Sequence, residues 1–212
     1  MPQSSTTEHA LEQVLAAARA CTLCAAHLPL GPRPVVRAHP AARVLIVGQA
    51  PGTRVHASGI PWDDPSGDRL RAWLEVDRDR FYDPRCFAIV PMGFCYPGRG
   101  KGGDLPPRPE CHPTWHGKIT ALLPEVRLTL LLSRYAIDAY LGPLARGSVR
   151  ETVGAFAELP TDRIALPHPS PRNNRWLREN PWFEAEVLPE LRRRVRAAFE
   201  ADGISTPPGS EP

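Results

Sequence analysis

Arg43-Val44-Leu45-Ile46-Val47-Gly48-Gln49-Ala50-Pro51-Gly52 is the stretch that decides the architecture. Its first half is short, apolar and rich in β-branched residues, and it stops at a glycine, the pattern of a strand buried on both faces. A loop rich in Gly and Pro follows. Working outward, residues 87–90, 127–132 and 163–166 repeat the apolar pattern and read as three further buried strands. Helical spacing lies between and around them. Residues 67–76 show it through Leu70, Trp73 and Leu74, followed by 115–123, 135–141 and an amphipathic stretch at 183–201. Residues 9–20 place Leu11, Val14, Leu15 and Ala18 on one stripe, and this helix runs directly into Cys21 and Cys24. The segment 93–109, which carries Cys95, reads as long and irregular. Strands alternating with helices make an α/β fold, a parallel sheet sandwiched by helices, with the active site beyond the strands' C-terminal ends. The loops opening at Gly48, Pro91 and Pro167 should converge there.

A chain of 212 residues with 42% hydrophobic content can bury a core, and its size makes one domain, residues 1–201, the natural reading. Residues 202–212 form a tail of Gly, Pro and Ser with no means of packing. The 26 prolines and 16 glycines exclude a helical bundle and predict long, shaped loops. The net charge of +3 is modest, but Arg172, Arg175, Arg178, Arg192, Arg193, Arg194 and Arg196 concentrate it in the last third. That clustering fits a phosphate-binding face or an ordinary solvated helix, and charge alone does not choose between them. There is no apolar run of about 18 residues for a membrane span, and residues 1–8 lack the apolar core of a secretion signal. The expectation is a cytoplasmic protein with no membrane partner.

In a reducing compartment a spaced set of cysteines more often binds metal than forms disulfides. Cys21 and Cys24 form a C-x2-C pair, while Cys95 and Cys111, far along the chain, have 15 residues between them. By ligand count four such thiolates suit zinc or a [4Fe-4S] cluster equally. The alternatives are a site using Cys21 and Cys24 alone, or free thiols throughout. Cys86, just before a strand, reads as an ordinary buried thiol.

Three loops carry the chemistry. The first is Gly48-Gln49-Ala50-Pro51-Gly52, whose glycines let backbone amides approach a planar ligand. The second is Gly59-Ile60-Pro61-Trp62-Asp63-Asp64. In the third, Pro167-His168-Pro169-Ser170-Pro171-Arg172-Asn173-Asn174, a histidine is locked between prolines and followed by side chains suited to phosphate.

Together with the order and spacing of Cys21, Cys24, Cys95 and Cys111, these loops resemble the uracil-DNA glycosylase superfamily, with its GQDPY- or GEAPG-type first motif and HPSP-type second motif. The likeness spans residues 20–195 and is greatest to the iron-sulfur-containing branches. It implies a three-layer α/β/α sandwich around a four-stranded parallel sheet, with a [4Fe-4S] cluster on the four cysteines supporting the fold. It implies a monofunctional glycosylase of base excision repair acting on DNA that contains uracil or an abasic site, and a monomer suits such an enzyme. No lysine sits in these motifs for strand-cleaving Schiff-base chemistry.

By the same resemblance His168 stabilises the departing base, Trp62 stacks on it, and Gly48, Ala50, Pro51 and Asp64 help to form the base pocket. Pro169 and Ser170 contact DNA with their neighbouring amides, while Arg172, Asn173, Asn174 or Arg175 fill or probe the space left by the flipped nucleotide. Two departures stand out. Ala50 replaces the aspartate of the GQDPY branch and Gln49 the glutamate of the GEAPG branch, so Gln49 can position water but cannot take its proton. Asp63 is then the nearest candidate for that task, while Asp64 also suits a cap on the helix near Gly67. The second departure is Pro91-Met92-Gly93, where many relatives carry an asparagine that reads uracil, so related damaged bases are expected to share the pocket. The missing carboxylates would also suit a non-catalytic protein that recognises damaged or abasic DNA. A metal-binding protein whose basic tail contacts RNA or protein would leave the GQAPG and HPSP loops unexplained.

Overall fold

The computed structural model describes residues 2–200; the tail at 202–212 and the last residue of the anticipated terminal helix lie outside the described residues. In chain order the elements are α1 (Pro2–Arg19), β1 (Val44–Val47), α2 (Thr53–Ser58), α3 (Pro65–Leu74), α4 (Arg78–Tyr82) and β2 (Phe87–Ile89). A two-stranded hairpin follows, β3 (Arg99–Gly100) and β4 (Gly103–Asp104), then α5 (Cys111–Thr120), β5 (Leu128–Leu131), α6 (Arg134–Leu141) and α7 (Val149–Gly154). The chain closes with β6 (Arg163–Ala165), α8 (Asn174–Glu179), a π-helical turn at Phe183–Val187 and α9 (Leu188–Glu200).

The four anticipated strands form one parallel sheet in the order β2-β1-β5-β6. Val44 lies opposite Phe87 and Leu128, and Leu131 opposite both Val47 and Ala165. All four residues of β1 are buried. Each such side chain contributes about 1.5–3 kcal/mol relative to exposure, so any register slip of this strand is costly. Helices flank the sheet: α1 packs on α5, α3 on α9, and α9 and α6 on β5. Trp73 of α3 meets Phe183 edge-on at 4.9 Å, tying the last helical segment to the core.

Helix starts follow local chemistry. Ser133 caps α6 and Ser148 forms a capping box with Glu151 at α7, caps worth about 1 kcal/mol each. No helix among the described residues is long and apolar enough to cross a membrane.

Three features differ from expectation. The segment 93–109 is not irregular throughout, because a Gly-rich turn folds it into the β3–β4 hairpin. The helix foreseen at 115–123 begins at Cys111, and α2, α4, α7 and α8 are short helices of five or six residues without a full apolar stripe. The C-terminal arginines are tied down: Arg192 and Arg196 pair with Glu75, and Arg193 and Arg194 with Glu190. Arg194 is only 7% exposed and also donates to the carbonyl of Arg163 at 3.0 Å. Arg192 and Arg196 brace α9 against the end of α3, Arg194 braces it against β6, and Arg193 pairs within α9.

Candidate active site and cysteine cavity

The loops leaving β1, β2 and β6 meet above the C-terminal ends of their strands, as the alternating pattern anticipated. They line a cleft of about 1150 Å³, counting its open mouth, with Gly48, Pro91 and His168 on its walls.

His168 is fixed by two hydrogen bonds. Its Nδ1 accepts the Ser170 backbone N–H at 3.1 Å, and its carbonyl accepts from Asn173 Nδ2 at 2.7 Å. Burial pushes the imidazole pKa below the usual value, opposed by the charges of Asp64 and Asp104. A neutral ring whose Nδ1 is an acceptor carries its proton on Nε2, so that nitrogen is the donor left for a ligand.

Trp62 lies beside it, with ring centroids 5.5 Å apart and planes inclined by 32°. Two glycines make room for this residue, Gly48 for its ring and Gly67 for its backbone. A Cβ on Gly48 would stand 3.0 Å from the ring, and one on Gly67 only 1.7 Å from the Trp62 carbonyl oxygen. Trp62 itself has a left-handed backbone, φ 58°, a conformation that a bulky residue holds only when its surroundings compel it.

The predicted residues divide. Gly48, Gln49, Ala50, Pro51, Trp62, Asp64, His168, Ser170 and Arg172 all line the cleft. Asp63 does not: it pairs with Arg78 at 2.8 Å, which holds its carboxyl below the usual range. Asp64 does two jobs, lining the cleft and capping α3 through the Gly67 N–H at 2.9 Å. Gln49 Nε2 donates to the Leu105 carbonyl at 3.2 Å, which leaves its side-chain oxygen as an acceptor.

Ser170 caps the turn at Pro171–Asn173. Asn173 and Asn174 brace the loop rather than project from it, the first on the His168 carbonyl, the second accepting from Arg69 at 2.7 Å. Pro169 is buried, and Arg175 is exposed and paired with Glu179.

Sequence reasoning missed the hairpin's contribution. Arg99 and Asp104 line the cleft from β3 and β4, together with Tyr96 and Arg54. The signal was present, since Gly100-Lys101-Gly102-Gly103 is a turn sequence. It also missed His116, which is 3% exposed. That ring contacts the Pro91 carbonyl at 2.9 Å through Nε2 and the Tyr140 hydroxyl at 2.8 Å through Nδ1. Burial pushes its pKa down to about 4, so it is neutral, donating to Pro91 and accepting from Tyr140. Where an asparagine was expected, the backbone is occupied: Met92 and Gly93 donate to the carbonyls of Gly48 and Gln49, both at 2.9 Å.

On the α1–α5 side, Cys21, Cys24, Cys95 and Cys111 line one cavity whose other walls include Leu28, Phe94 and Trp115. The Phe94 N–H donates to Cys111 Sγ at 3.4 Å, and Cys24 Sγ donates to Glu110 at 3.6 Å. Burial pushes the Cys111 thiol up to about 12. No group of three or more His, Cys, Asp or Glu among the described residues is drawn together as a single metal ion requires. Cys86 lies apart, packed against the core.

Residues 36–192 match the family model described as the uracil DNA glycosylase superfamily. The matched span contains the whole sheet, every cleft-lining residue except Val35, and both His116 and His168. The chain therefore belongs to the uracil DNA glycosylase superfamily, whose members act on DNA as glycosylases.

Proposed function

We propose that this protein removes uracil from DNA by hydrolysing the bond between base and sugar, leaving an abasic site. The observation that carries this reading is His168, a neutral ring in the cleft wall whose Nδ1 is held by the Ser170 N–H, which leaves its proton on Nε2 as the donor for a ligand. A base inside the duplex is out of reach, so the nucleotide must rotate out of the stack into the pocket. Trp62 then stacks on the base. As the bond breaks, the sugar becomes cation-like and the base gathers negative charge on its carbonyl oxygens. A fixed donor in a dry pocket stabilises that charge without reorganising. Arg172 lines the cleft and is exposed, placed for the phosphate contacts that position the strand. With no asparagine at the end of β2, base reading rests on backbone groups and His168, so related damaged bases enter the same pocket.

The four cysteines suit a [4Fe-4S] cluster better than a lone ion, because they surround a cavity with apolar walls instead of converging on a point. Such a cluster would pin α1 and α5 together as a structural staple. Cys95→Ala should lose the brown absorbance and much of the solubility; a colourless wild-type protein with full iron-free stability would refute the cluster.

The glycosylase reading is tested by incubating the protein with a labelled oligonucleotide containing one uracil, single-stranded or mismatched duplex, followed by alkali. Cleavage at uracil by the wild type, reduced about 100- to 1,000-fold in His168→Ala, is the expected result. Intact DNA with tight binding to an abasic site would replace it with the non-catalytic recognition protein.

A further inference from the structure

We propose that Asp104, at the end of the β3–β4 hairpin, is the carboxylate that takes the proton of the attacking water; the proposal rests on the glycosylase reading of the same cleft. The first loop offers no carboxylate at positions 49 and 50, and Asp63 is turned away into its pair with Arg78. Only Asp64 and Asp104 are acidic among the residues lining the cleft. Asp64 has an oxygen committed to the α3 cap. The Asp104 side chain forms no hydrogen bond or ion pair among the described residues, and it reaches over the first loop. Its Oδ2 lies 3.6 Å from the place a Cβ on Gly52 would occupy.

The hairpin is held where it can do this work. Gln49 Nε2 grips the Leu105 carbonyl at 3.2 Å, and the Leu105 N–H donates to Gly98 at 2.9 Å. Arg172, from the opposite wall, rests on Gly103, where a Cβ would meet Nη1 at 2.7 Å. Gly103 has φ +139°, so a side chain there is excluded both by strain and by the guanidinium. The cleft thus places His168 on one wall and an unpaired carboxylate on a separate element, with the Gln49 side-chain oxygen between strand β1 and the hairpin as a second acceptor for water.

In the step, the water oxygen bonds to C1′ of the deoxyribose as the bond from C1′ to the base nitrogen breaks. The bonding pair leaves on the base, against the His168 Nε2–H. Asp104 takes one water proton, leaving a hydroxyl on C1′, and later returns that proton to solvent, from which the released base is also protonated. A fixed hydrogen-bond donor for the departing base and a separate general base for the water thus stand on two elements.

The test measures single-turnover excision against pH for the wild type, Asp104→Asn, Asp104→Glu and Asp64→Asn. Asn at position 64 keeps the helix cap, so that variant isolates the charge. Asp104→Asn should slow excision about 100- to 10,000-fold, lose the acidic limb of the rate profile and still bind uracil-containing DNA, with Asp104→Glu recovering part of the rate. Asp104→Asn within threefold of wild type, or an acidic limb lost in Asp64→Asn and kept in Asp104→Asn, would overturn the assignment while leaving the glycosylase reading intact. A wild type that cleaves no uracil substrate would overturn both.

Discussion

His116→Gln should flatten the acid dependence of stability. In the folded protein this imidazole is held between the Pro91 carbonyl and the Tyr140 hydroxyl, and burial lowers its pKa to about 4. The unfolded chain takes up a proton near the ordinary histidine pKa, about 6.5. Between these values the unfolded state binds the extra proton, so stability is fully present above about pH 6.5 and is lost as the pH falls towards 4. Going from about pH 7.5 to 5.5, the linkage amounts to about 1.4 kcal/mol, and the full separation of about 2.5 units to about 3.4 kcal/mol. Urea unfolding at several pH values reads it directly, as the wild-type minus variant difference, since other titrating groups are common to both. At neutral pH the variant should be less stable by about 1–3 kcal/mol, having disturbed two buried partners. On acidification the gap should narrow by about 1.4 kcal/mol. A gap that stays constant across this range would refute the buried, neutral assignment of His116 and with it the account of how the Pro91 wall is held.

Gly48→Ala places a methyl 3.0 Å from the Trp62 ring, so excision should fall at least tenfold while the unfolding midpoint changes little; Trp62→Phe in the same background should restore part of the loss by removing the crowded atoms. Arg194→Ala should destabilise the fold by about 1–3 kcal/mol in urea unfolding, because it strips the Arg163 carbonyl of its buried donor while Glu190 keeps Arg193. Arg175→Ala, by contrast, removes an exposed pair with Glu179 and should change stability by less than about 1 kcal/mol. If Arg194→Ala were as mild as Arg175→Ala, the C-terminal arginines would be a free basic face after all.

Much of the site was legible in the sequence because its residues are consecutive. The GQAPG loop, Trp62 and the HPSP loop each follow a strand or precede a helix, and their chemistry is written within a few positions. The missed residues are those whose meaning depends on a distant partner. His116 reads as one more polar residue on a helix until Pro91 and Tyr140 arrive, 25 and 24 positions away. Asp63 and Asp64 are neighbours with the same chemistry, yet a turn at Trp62 sends one to Arg78 and the other into the cleft. Asn173 and Asn174 looked like ligand-probing side chains, but the loop consumes them to hold its own shape.

By itself, the sequence determined the four strands, their parallel arrangement and the end of the sheet at which the loops gather. Strands buried on both faces must be continuously apolar, and the short helices and loops between them leave few ways to order such strands. Only the tertiary structure decided which charges are free. A carboxylate or guanidinium is defined by what lies within about 4 Å of it, and those neighbours come from elements far apart in the chain. It is through that folding that Arg194 became a buried brace, Asp63 a surface pair, and Asp104 the unpaired carboxylate over the cleft.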